Sequence, residues 1–342
     1  MKELSIRKLD DSNSDKWNDF VLRTKNFSFY HRVEWIKVLE KSFYFKSLNY
    51  LIFEKENVIA IFPNMISSVG PLKLNFLSSL PKGYGGPLIA KHQKLCLDLF
   101  FDKIDREFLQ NRLFHHRILS DNLSHVIYSK YYSKRGYTPN LNGCHFILDI
   151  KDETYESLVS SFTKKRRWAI RKALSNKDFK IEQLEITLDN IKSFYIHHKK
   201  AYYERHKKEP YPLKFFIEVF SRLKDKLLIF EAKFRNDVIG SFMHILSKEN
   251  NTVYHYFNTV YPDFYKHNVV ELLHDATIKW CISNGYRYYD LGGTGSGFDE
   301  GNLQFKKQFS EVIPNLAWDR GGFNLLNYAF NKYKLLTSKL KR

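Results

Sequence analysis

Leu51-Ile52-Phe53-Glu54 and, after a turn, Val58-Ile59-Ala60 recur along the chain as Leu228-Ile229-Phe230-Glu231 and Val238-Ile239-Gly240. Tetrapeptides of common residues match by chance. Here, however, each pair of apolar runs reads as two strands around a polar turn, and each is preceded by helical sequence. A supersecondary context repeated in this way implies two copies of one α/β unit side by side. The order of strand, helices, hairpin, and a later helix and strand is that of an α/β (α+β layered) fold, mixed sheets flanked by helices.

Around the first copy, the pattern predicts helices over Asp15 to Leu22, from about Trp35 to Lys41, and over His92 to Phe108. Strands are predicted at Tyr50–Glu54, Val58–Pro63, Leu72–Leu77, Phe114–Leu119 and His145–Ile150, with an irregular Gly/Pro loop at Pro81–Pro87. The texture changes near residue 151, which divides the chain into domains 1–150 and 151–342. The second domain opens on a polar helical segment, Lys151 to Lys172. Helices Leu188–Arg205 and Leu213–Lys224 follow, on either side of a break at Lys207–Pro212. Strands Leu227–Phe234, Val238–Ser247 and Thr252–Asn258, helix Asn268–Ser283, strand Tyr286–Leu291 and a last helix Phe323–Leu340 complete it.

A chain of 342 residues is long enough for two domains with their own cores, and 43% hydrophobic residues argue against disorder. The formal net charge of +18 predicts attraction to a polyanion: nucleic acid, an anionic membrane surface or phosphorylated small molecules. Cys96, Cys144 and Cys281 lack paired spacing, which fits a reduced, cytoplasmic compartment. Met1-Lys2-Glu3-Leu4-Ser5 holds no apolar signal core and no stretch approaches the ~18 apolar residues of a membrane span. Membrane contact is therefore expected only as peripheral, at the inner face.

One stretch has the character of a site. Tyr288-Tyr289-Asp290-Leu291-Gly292-Gly293 ends an aromatic strand on an acid and two glycines, and a flexible loop follows. Asn302-Leu303-Gln304-Phe305-Lys306-Lys307-Gln308-Phe309 then sets lysines between two phenylalanines. Upstream, Lys164, Arg167 and Arg171 fall at i, i+3 and i+7, so one helix face carries stacked positive charge. The histidines make no zinc site: His197–His198 and His115–His116 diverge as neighbours. His244 and His255 could approach across strands, but two ligands without a carboxylate fall short. No Gly-x-Ser-x-Gly elbow occurs, Cys144 and His145 point to opposite strand faces, and Gly83-Tyr84-Gly85-Gly86 is not a phosphate loop. A direct-transfer enzyme that needs no covalent intermediate fits this absence.

Several motifs together resemble a known family. Phe29-Tyr30-His31-Arg32-Val33-Glu34-Trp35 is similar to the Phe-Phe-His-Ser-Pro-Glu-Trp motif near the start of Fem-related proteins, and Ile61-Phe62-Pro63 and Gly85-Gly86-Pro87-Leu88 follow in order. Arg166-Arg167-Trp168-Ala169-Ile170-Arg171-Lys172-Ala173 resembles their Arg-Arg-Asn-Ile-Arg-Lys-Ala helix. Tyr289-Asp290-Leu291-Gly292-Gly293 with Phe305-Lys306-Lys307-Gln308-Phe309 resembles the closing Asp-Leu-Gly-Gly and Phe-Lys-x-x-Phe-Gly pattern, with Ser310 in place of the last glycine.

The resemblance implies two tandem GNAT-like acyltransferase domains. It implies transfer of an aminoacyl group from aminoacyl-tRNA to an amine of a peptidoglycan precursor, nucleotide-sugar or lipid-linked, with no metal or resident cofactor. Lys306, Tyr256 and Asp290 are the expected catalytic residues. Phe305, Arg205, Trp35, Lys37 and the basic helix residues Lys164, Arg167 and Arg171 are the expected substrate contacts. Acyl-CoA or acyl-carrier protein acting on an amino sugar is the alternative donor chemistry. A non-enzymatic protein binding RNA or a membrane surface on the same scaffold is a further one. The Gln/Arg-x-x-Gly-x-Gly/Ala loop that holds coenzyme A pyrophosphate in ordinary acetyltransferases would fall near Tyr265–Val270, which has no glycine. That favours tRNA as donor.

Overall fold

The computed structural model of the chain describes residues 4–69, 74–120, 123–150 and 153–321. The helix expected over 323–340 lies outside the described residues, as do positions 72–73 of the expected strand and positions 151–152. Contacts divide the chain into two compact units. The first holds the chain up to Leu141 and again from Asn315, and the second is Asn142–Pro314. The sequence division at 150/151 therefore differs at both ends of the second unit. Ile147–Asp149 pairs within the second unit's sheet, while Ala317–Gly321 of the strand Ile313–Gly321 pairs antiparallel with Leu113–Leu119 of the first. Pro314 and Asn315 interrupt the alternation that would have marked this last strand.

In the first unit, strands Leu4–Lys8, Tyr50–Glu54, Asn57–Phe62 and Leu88–Ile89 form an antiparallel sheet in that order. Helix Gln93–Gln110 covers it because Leu97, Phe100, Phe101 and Ile104 recur at helical spacing and meet Ile52 and Phe62 in one core. Arg117 and Asp319 face each other across the paired last strand. Nε and Nη2 of the guanidinium donate to the two carboxylate oxygens at 2.7 and 2.8 Å.

The second unit is a six-stranded sheet. Its order is Ile147–Asp149, Tyr288–Asp290, Thr252–Asn258, Asp237–Ser247, Leu227–Phe234 and Phe179–Leu184. Every neighbouring pair is antiparallel except Thr252–Asn258 with Tyr288–Asp290, which is parallel. The polar segment expected as one helix is two, Tyr155–Ser161 and Lys164–Leu174. Thr163 breaks the run, since its side chain accepts the Arg166 N–H and caps the second helix.

The repeat is real, but its register is not the one the tetrapeptides imply. In each unit a hairpin turns through two residues, the first in the left-handed region: Lys55 at φ 56° and Arg235 at φ 58°. Each hairpin then slips register after one further pair, between Ile52 and Phe53 and between Ala232 and Lys233. Residue 55 thus corresponds to 235, an offset of 180 that also relates Val58-Ile59-Ala60 to Val238-Ile239-Gly240. The preceding eleven-residue helices, Val33–Phe43 and Leu213–Leu223, share it. Leu51–Glu54 and Leu228–Glu231 lie three residues out of that register, so this match has no structural counterpart.

One buried ion pair ties three elements of the second unit together. Arg166, on the inward face of the basic helix, is only 3% exposed and donates to Glu271 in the first turn of helix Val269–Ser283. Its guanidinium also lies over the rings of Phe305 and Phe309, 4.0 and 4.8 Å from their centroids. The cation thus has a carboxylate on one side and π-faces on the other, while its Nε–H is buried without a hydrogen-bond partner.

Arg166→Ala should lower stability by about 3–5 kcal/mol, because it strands the Glu271 charge in the interior. Lys165→Ala, at an exposed neighbouring position, should stay within about 0.5 kcal/mol of the parent. Urea unfolding midpoints compare the two; equal midpoints would remove the ion pair's structural role.

Candidate functional site

Two parallel strands that separate open the site. Thr252–Asn258 and Tyr288–Asp290 pair only as Thr252–Tyr288, Val253–Tyr289 and Tyr254–Asp290. Beyond that point Leu291 N–H donates to Phe146 O at 2.9 Å, so the second strand follows its other neighbour. The first strand continues beside Asp237–Ser247 as far as the Phe242–Asn258 pair. The result is a wedge with His255 through Asn258 on one side and Leu291 through Gly293 on the other. Gly292 permits it: its φ is +80°, and a Cβ there would lie 3.3 Å from the His255 carbonyl oxygen and 3.6 Å from Lys306 Nζ.

Lys306 ends the short helix Gly301–Lys306 and reaches into this wedge. Its ammonium donates to the carbonyls of Gly292 at 3.0 Å and Gly293 at 3.2 Å. Burial pulls its pKa down to about 8, against the opposing effect of Asp290 and Cys144. Asp290 is buried and accepts the Gly292 N–H at 2.7 Å. Burial pushes its carboxyl up to about 6, opposed by that N–H and by Lys306. Two groups of opposite charge are thus drawn toward neutrality from both sides.

The structure distributes the other expected site residues unevenly. Tyr256 lies on the diverging strand, with its ring parallel to Phe215 at 6.1 Å and 18°. Arg205 is exposed; it stacks on Tyr265 at 5.5 Å and donates to Tyr265 Oη at 3.1 Å and Asn302 Oδ1 at 3.4 Å, the latter on the helix that carries Lys306. Phe305 faces inward, packed against Arg166, His274 and Phe309. Lys164 and Arg171 are exposed, whereas Arg167 donates to the Ser160 and Phe162 carbonyls and closes the end of the preceding helix. In the first unit, Trp35 is 0% exposed against Phe29 and Tyr30, so it is a core residue and not a ligand wall. Lys37 pairs with Asp11 at 3.0 Å on that unit's surface.

Sequence patterning alone passed over Arg166, although Arg166, Ala169, Ile170 and Ala173 recur at i, i+3, i+4 and i+7, the signature of the inward face. It also passed over His274. His244 and His255 do approach, with ring centroids 5.2 Å apart, and His274 joins them 5.2 Å from His255. Thr277 holds His244 at 3.1 Å and the Tyr289 hydroxyl holds His274 at 2.8 Å. Burial keeps all three rings neutral, with His244 lowered to about 3. They are a packed aromatic cluster, and among the described residues no group of three His, Cys, Asp or Glu has the geometry to hold a metal.

Residues 160–307 match the family model described as an acetyltransferase (GNAT) domain. No curated protein matches the sequence. Among solved structures, FemX superposes with a TM-score of 0.71 at 12% identity, covering 95% of this chain and 99% of that one. A tandem GNAT protein from the clavulanic acid biosynthesis pathway gives 0.62 at 10% identity, over 94% and 99%. The C-terminal domain of a putative lysylphosphatidylglycerol synthetase from Agrobacterium fabrum gives 0.60 at 10% identity, over 91% and 92%. At these identities the likeness is one of fold, and the family match adds the chemistry. Residues 160–307 thus carry a GNAT-type acyltransferase domain, and the chain as a whole takes the tandem GNAT-like fold seen in FemX.

Proposed function

We propose that the second unit moves an aminoacyl group from aminoacyl-tRNA to an amine of a peptidoglycan precursor, nucleotide-sugar or lipid-linked. The observation that carries this is Lys306, a half-buried ammonium aimed by two carbonyls at the point where the parallel strands part, beside a buried carboxyl. The neutral amine attacks the ester carbonyl. A C–N bond forms, negative charge develops on the carbonyl oxygen, the C–O bond to ribose breaks, and the amine's proton ends on the ribose oxygen. Lys306 stabilises the oxygen where charge develops, which needs a preorganised donor in a place of low dielectric. Asp290 helps keep Lys306 cationic near neutrality, and Tyr256 positions the amine or relays its proton. Arg205, Lys164 and Arg171 meet phosphates of the polyanionic substrates.

The likeness to a structure named for lysylphosphatidylglycerol synthesis, an aminoacylated product, supports an aminoacyl donor. Acyl-CoA is the second reading, favoured by the match to an acetyltransferase model. Against it, helix Val269–Ser283 begins after Asn268 at φ 59°, with no glycine in the preceding turn. Its first turn also holds the Glu271 carboxylate in a buried ion pair with Arg166. Binding of charged tRNA at moderate salt, set against binding of acetyl-CoA, separates the donors. The mass added to a panel of cell-wall precursors identifies the acceptor; acyl transfer from acetyl-CoA but never from tRNA would overturn the first reading.

Lys306→Ala should lower kcat/KM by about 10²- to 10³-fold, the cost of losing one oxyanion donor, with a far smaller change in the urea midpoint. Parent-like turnover in purified protein would sink the assignment. Asp290 is ionised only above about 6 and Lys306 protonated only below about 8. The doubly charged form is therefore populated between those values, and kcat/KM should rise with pH through the first and fall through the second. Asp290→Asn should abolish the acid limb and move the alkaline limb to lower pH, because Lys306 loses the anion that favours its charge. An unchanged profile would exclude Asp290.

A further inference from the structure

The short helical turn Leu123–Tyr128 and the helix Ser129–Lys134 that follows it show an unusual outward face on the first unit. His125, Tyr128 and Tyr132 turn inward and are buried. Leu123, Val126, Ile127, Lys130 and Lys134, spaced i, i+3, i+4, i+7 and i+11, are exposed, Val126 at 52% and Ile127 at 66%. Ile127, Lys130 and Lys134 line a groove of ≈ 520 Å³ whose other wall includes Lys94 and Leu97. Leu95, beside Lys94 at the start of helix Gln93–Gln110, is exposed as well. The acid in the groove, Asp98, is matched: it accepts from the Tyr131 hydroxyl at 2.7 Å and from Arg135 at 3.3 Å.

Bare Leu, Val and Ile side chains at one end of a helical face and lysines at the other are the chemistry of an interfacial segment. The apolar end enters the boundary below the headgroups, and lysine stems lie along it with their ammonium groups at the phosphates. A nucleic acid would be met by arginine forks and stacking aromatic rings, not by aliphatic side chains with no polar atom. We propose that this face docks the protein on an anionic lipid surface, with Leu123, Val126 and Ile127 inserted and Lys94, Lys130 and Lys134 on lipid phosphates. The inference goes beyond the transfer reaction and does not rest on it, since docking is read without turnover.

The test is co-sedimentation of the full chain with phosphatidylglycerol-containing vesicles and with phosphatidylcholine vesicles at near-physiological salt. Preferential binding to the anionic vesicles is expected. Val126→Ser with Ile127→Ser should weaken it by about tenfold or more, since both apolar side chains are lost from the boundary. Both positions are exposed, so circular dichroism and the urea midpoint should be unchanged. Lys130→Ser with Lys134→Ser should reduce the preference for phosphatidylglycerol. Four results would overturn the proposal. They are no vesicle binding, equal binding by parent and Val126/Ile127 variant (attraction from net charge alone), loss of tRNA affinity in that variant (a nucleic-acid face), and a change in its sedimentation mass (a face between copies).

Discussion

The second unit depends on one cation that is almost wholly buried. Arg166 engages Glu271 with its guanidinium edge and Phe305 and Phe309 with its face. It thereby fixes the angle at which the closing helix Gly301–Lys306 leaves the core. Phe305, one residue before the Lys306 that donates to the Gly292 and Gly293 carbonyls, lies beneath Arg166. A basic helix that reads as a polyanion-binding face thus has two unlike faces. Lys164 and Arg171 look outward, while Arg166 is a structural bolt.

Much of the fold was legible because local patterning agrees with tertiary structure. Leu227–Phe234 and Thr252–Asn258 were bounded correctly from alternation and turn residues alone, and helix Leu188–His206 differs from its expected span by one residue. Leu4–Lys8, Phe179–Leu184 and Ile313–Gly321 were missed. The first two are edge strands that carry charge, at Arg7 and Lys8 and at Lys180 and Glu182, and the third carries Pro314. Such strands hold their place by pairing with a neighbour, which no local window contains.

The site was legible in kind and partly in membership. Asp290, Gly292 and Lys306 lie up to sixteen positions apart, and the stretch that holds them was visible as glycine after strand followed by an amphipathic lysine pair. What sequence could not supply is the end of pairing at Tyr254–Asp290, which turns a turn into a wedge. Nor could it supply direction. Trp35 sits in a motif that resembles a binding element and is wholly enclosed, and Phe305 points away from the wedge it adjoins. Residue type announced importance in both cases; burial determined which sort.

An ammonium has three N–H bonds. In Lys306 two are committed to Gly292 and Gly293, so one remains, and its direction is fixed by the tripod geometry of the other two. A group with a single unengaged valence can serve one oxygen at a time. On the transfer proposed above, that third N–H is the one left for a substrate oxygen, so Lys306 would hold one such oxygen at a time.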